Sequence, residues 1–80
     1  MQCFVYRSRR QVGMYLFLPQ ADDFSQVPES LLKLFGQAEL SFEFELKSGR
    51  KLRQVDAETV RQHLQTNGFF LQMPPGRELE

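Results

Sequence analysis

Leu40, Phe42, Phe44 and Leu46 alternate with Glu39, Ser41, Glu43, Glu45 and Lys47. A period of two predicts a strand over residues 39–47 with one buried and one wet face. Residues 2–7, Gln-Cys-Phe-Val-Tyr-Arg, are rich in β-branched and aromatic side chains and predict another strand. Residues 14–18, Met-Tyr-Leu-Phe-Leu, predict a third, apolar on both faces and therefore central, with cover on each side. The polar stretch Ser8 to Gly13 between them reads as the turn of an antiparallel hairpin, and Pro19 ends the second strand because proline cannot donate to a ladder.

Helical spacing appears twice. Leu31, Leu32 and Phe35 predict the buried stripe of a helix within residues 21–36, with Pro28 at its first position, Glu29 near its positive end and Gly36 as its stop. Asp22, Asp23 and Ser25 read as turn and cap formers ahead of it. Ala57, Val60 and Leu64 predict a second helix, capped by Asp56 and closed at Asn67-Gly68. Ser48-Gly49 reads as a turn, Lys51–Val55 as a polar returning strand, and Phe69–Met73 as a last strand stopped by Pro74-Pro75. The order is ββαββαβ. It predicts an α+β fold, a mostly antiparallel sheet of three to five strands packed with two main helices. The last strand follows a crossover helix, so a parallel pairing stays open there.

Composition narrows this to one domain. Eighty residues cannot divide their core, and 41% hydrophobic with 25% charged residues is an ordinary globular mixture. We assign residues 1–75 to the domain and 76–80 to a loose tail. The formal net charge is zero, so no global field draws the chain to nucleic acid or to an anionic membrane. No apolar run approaches 18 residues, the amino-terminal pattern is that of a strand and not of a signal peptide, and a single cysteine needs no oxidising compartment. The expectation is a cytoplasmic protein without a membrane contact.

Several segments carry a family likeness. They are Cys3 with Val5-Tyr6-Arg7-Ser8, Tyr15-Leu16, Asp22-Asp23-Phe24-Ser25-Gln26-Val27-Pro28, Phe35-Gly36, Gly49-Arg50-Lys51-Leu52, and Gly68-Phe69-Phe70-Leu71-Gln72-Met73-Pro74-Pro75. On these, which span residues 3 to 75, the chain resembles the YcgL domain family of small bacterial proteins. The resemblance implies a compact α/β sandwich. It implies no activity, because that family is of uncharacterised function, and so it supplies no catalytic residues. Ala38 departs from the proline that often follows Phe-Gly-Gln in the family, and the carboxy-terminal tail is shorter than in its longer members.

The residues offer little catalytic chemistry. Cys3 and His63 are the only thiol and imidazole, sixty positions apart, without the paired spacing of a metal site. Cys3 sits among apolar strand residues and reads as packing; His63 lies beside the apolar stripe of its helix and reads as a surface or boundary residue. Glu43 and Glu45 share one strand face in like surroundings, which gives no reason for their acidities to separate. The five glycines are dispersed and cradle no phosphate. We expect neither enzyme activity nor a cofactor nor a metal.

The cations are less evenly spread. Arg7, Arg9 and Arg10 flank the first turn, and Lys47, Arg50, Lys51 and Arg53 surround the second, seven of the ten basic residues in all. If both turns lie at one end of the sheet they form a positive patch, with Tyr6 and Tyr15 as rings nearby. Two functional readings follow. The first is a non-enzymatic module that binds another protein. The second is a nucleic-acid accessory protein using the two basic turns. An exposed edge at 39–47 would also permit pairing with a second copy, so monomer and weak homodimer both stay open.

Overall fold

A computed structural model describes residues 1–47 and 57–73. Six elements follow in order: β1 Gln2–Ser8, β2 Tyr15–Leu18, α1 Glu29–Phe35, β3 Ala38–Glu45, α2 Ala57–Asn67 and β4 Phe70–Gln72. The described strands form one sheet in the order β3-β1-β2-β4. Every neighbouring pair is antiparallel, β4 against β2 included, which settles the last strand against the parallel alternative. The returning strand expected at Lys51–Val55 and the Asp56 cap lie outside the described residues.

Strand alternation sends neighbouring side chains to opposite faces, and here each face meets a helix. Cys3 and Val5 of β1 and Phe17 of β2 pack with Ala57, Val60 and Leu64 of α2. Tyr6 of β1 and Leu16 and Leu18 of β2 pack with Val27 and with Phe35 of α1. The result is a three-layer α/β/α sandwich of α+β class. The central position expected for the second strand is realised, because β2 is covered on both faces.

Helix α1 is shorter than the 21–36 window. Pro28 is its cap, with an extended ψ of 144°, and is not its first helical residue. A proline disfavours helical geometry in the residue before it, so the chain ahead of Pro28 runs through turns instead. Those turns are anchored. The Tyr6 hydroxyl donates to Asp22 Oδ1 at 3.0 Å and accepts from the Asp22 amide at 2.6 Å. Phe24 sets its ring edge-on to Tyr6 at 5.1 Å. Asp22 is held at a φ of 60°, a left-handed conformation that Asp tolerates better than most residues.

β3 departs from simple alternation. Val5 faces Phe42, but the next residue of β1, Tyr6, faces Leu40, so Ser41 is the extra residue of a β-bulge. The bulge splits the apolar set that the sequence pattern places on one face. Phe42 and Phe44 lie opposite Val5 and Cys3, on the α2 side, where Leu46 is also buried. Leu40 lies opposite Tyr6, on the α1 side, as does Ala38 opposite Ser8. Leu40 and Phe42 are each 50% exposed, so neither is the core residue that alternation predicts.

Gly68 ends α2 as expected. Its φ is +85°, and its amide donates to the Leu64 and His63 carbonyls at 3.0 and 3.2 Å. A Cβ there would sit 2.6 Å from both Cβ and Cγ of Gln26. Gly68→Ala therefore meets both a left-handed backbone and a steric block. We expect a loss of at least about 1–2 kcal/mol, the usual left-handed cost for a residue with a Cβ, read as a lower midpoint in chemical denaturation.

Candidate functional site

The first basic turn is built into the fold. The Ser8 hydroxyl, buried, donates to the Phe35 carbonyl and accepts the amides of Arg10 and Gln11 at 3.2 and 2.8 Å. The Arg9 amide donates to the Gln37 carbonyl at 3.1 Å. Arg10 Nη1 donates to the Lys33 carbonyl at 2.9 Å, which places a guanidinium at the negative end of α1. Gly36 leaves room for that side chain: a Cβ there would lie 3.1 Å from the Arg10 Cβ.

Arg7 is engaged as well. Its Nε and Nη2 reach Glu39 Oε1 at 2.8 and 2.6 Å across β1 and β3. The Arg7 hydrogen bond and charge hold the Glu39 carboxyl below its ordinary range, with a smaller contribution from the charge of Arg9. Thus two of the three cations at this turn have protein partners, and the third stands near a carboxylate.

The structure does not join Lys47 to this group. Ser8 pairs with Ala38 and Gln2 with Glu45, so Lys47 follows β3 at the end where β1 begins, whereas Arg9 and Arg10 follow the end of β1. A seven-residue strand separates the two ends by about 20 Å. Arg50, Lys51 and Arg53 lie outside the described residues. Tyr6 is no stacking platform either, because it is 2% exposed and committed to Asp22 and Phe24. Burial pushes its phenol above the ordinary tyrosine range.

The thiol and imidazole stand apart in accessibility. Cys3 is fully buried in the α2-side core, and burial pushes its pKa up to about 12. His63 is exposed on α2, with its ring 5.0 Å from Phe70 and its Nδ1 3.2 Å from Asn67 Nδ2. Cys3 therefore presents no accessible thiolate. Native protein at pH 8 is expected to react with a disulfide reagent at least about tenfold more slowly than protein unfolded in urea; equal rates would place the thiol at the surface. The raised pKa also fixes a sign. The unfolded thiol loses its proton near pH 9 and the folded one only near 12, so this group's contribution to stability falls as pH rises between those values. Among the described residues, no three His, Cys, Asp or Glu side chains gather as a metal site would require. No described helix is long and apolar enough to cross a membrane.

A different feature emerges on the α2 side of the sheet. Val5, Phe17 and Phe42 form one cross-strand row, and Arg7, Tyr15, Glu39 and Gln72 form the next. Beside these rows lies an open cavity of about 220 Å³, lined among the described residues by Val5, Phe17, Tyr15, Phe42 and Phe44, with Ser41 and Gln72 as polar members. None of its described lining residues belongs to α2. Phe42 and Phe44 stand 5.8 Å apart in a tilted pair along its wall. The alternating pattern puts Phe42 and Phe44 on one strand face, but it is the pairing of β3 with β1 that sets them beside Val5, Tyr15 and Phe17.

The fold and this site define a small α/β/α sandwich with an aromatic hollow beside an ion-paired sheet row. The YcgL domain model matches residues 3–75, and the chain belongs to that family. Among its relatives, a YcgL domain-containing protein of Vibrio atlanticus is 50% identical over 76 residues, covering 94% of this chain and 77% of that protein. One from Pseudoalteromonas atlantica is 47% identical over 76 residues, covering 95% and 80%. One from Thioalkalivibrio sulfidiphilus is 46% identical over 78 residues, covering 98% and 96%.

Proposed function

We propose that this protein is a non-enzymatic interaction module that receives an apolar side chain of a protein partner in the cavity beside Phe42. The observation that carries the reading is the half-exposed Phe42 on the wall of an aromatic-lined hollow. Aromatic anchors surrounded by polar residues are the usual centre of a protein contact. The volume of about 220 Å³ is below the roughly 300–1,000 Å³ of small-molecule sites and suits one inserted side chain. The adjoining Arg7–Glu39 pair supplies a polar rim of both signs. The non-catalytic part of the reading is supported by the burial of Cys3 and by the separate placement of His63. The nucleic-acid alternative has less support, since Arg7 and Arg10 are engaged and Lys47 stands at the opposite end.

A photoreactive benzoylphenylalanine at position 42, irradiated in living bacteria, tests this. One dominant protein adduct is expected, absent when the same group replaces exposed Gln65 on α2. Phe42→Ser should abolish binding of that partner in purified form at a stability cost of about 1–2 kcal/mol, since half of Phe42 is buried and its ring packs beside Phe44, while a cooperative unfolding transition is kept. Identical adduct patterns from positions 42 and 65 would overturn the reading. So would salt-sensitive binding of RNA or DNA that Arg9→Glu removes, which would favour the nucleic-acid alternative.

A further inference from the structure

We draw no further inference here: the strongest candidate, the open aromatic cavity between Tyr15, Phe42 and Phe44 on the α2 side of the sheet, belongs to the site already described, and nothing in the structure shows what covers it.

Discussion

Phe35→Ala is expected to lower the folding stability by about 3–5 kcal/mol, a large share of what a domain of this size has. Phe35 is among the largest fully buried side chains and is the one buried residue of α1. It closes the core against Tyr6, Leu16 and Leu18. Truncating a buried phenylalanine costs about 3–5 kcal/mol, from lost transfer energy and from the cavity left behind. An 80-residue domain has roughly 4–12 kcal/mol in all. A seven-residue helix cannot hold itself without its packed face, so α1 should detach with the ring. Urea denaturation followed by far-ultraviolet circular dichroism measures the loss. A change below about 1 kcal/mol would mean that α1 contributes little to the core.

Ser8→Ala should be the next most damaging. One buried hydroxyl there serves a helix carbonyl and two turn amides at once. Methyl replacement removes the donor to the Phe35 carbonyl and the acceptor for both amides. Leaving buried polar groups without a partner costs about 1–3 kcal/mol. The effect should be local before it is global. Amide exchange at Arg10 and Gln11 should accelerate at least about tenfold, while Val60 and Leu64 in α2 change only as far as overall stability falls. Uniform acceleration across both helices would show that Ser8 contributes to general stability and does not join the turn to α1.

Much of this architecture was legible in the chain because it depends on local pattern. β2 is apolar on both faces, and that alone marks a central strand. Ala57, Val60 and Leu64 mark the buried side of α2, and Gly68 marks its end, because these depend on helical period and on a left-handed cap. What escaped depends on relations between segments. The bulge at Ser41 leaves no trace in a period-two pattern, since it is defined only by the pairing with β1. Tyr6 reads as an available ring until the Pro19–Val27 turns bring Asp22 and Phe24 onto it. The separation of Lys47 from Arg9 follows from β3 running antiparallel to β1, and the strand order decides that. The cavity depends on which side chains β1, β2, β3 and β4 bring together on the α2 side.

The bulge at Ser41 also acts as a register lock. Strands that alternate without interruption can slip by two residues and still present the same faces. β3 cannot do so at low cost. Sliding it two places one way, with the bulge retained, brings Glu43 opposite buried Tyr6; sliding it the other way brings Glu39 opposite buried Val5 and away from Arg7. Each misaligned pairing thus presses a carboxylate towards the core, at the desolvation cost that burying a charge carries. The extra serine thus disfavours two-residue slips of this strand, which would otherwise move its half-exposed apolar residues into aggregation-prone pairings.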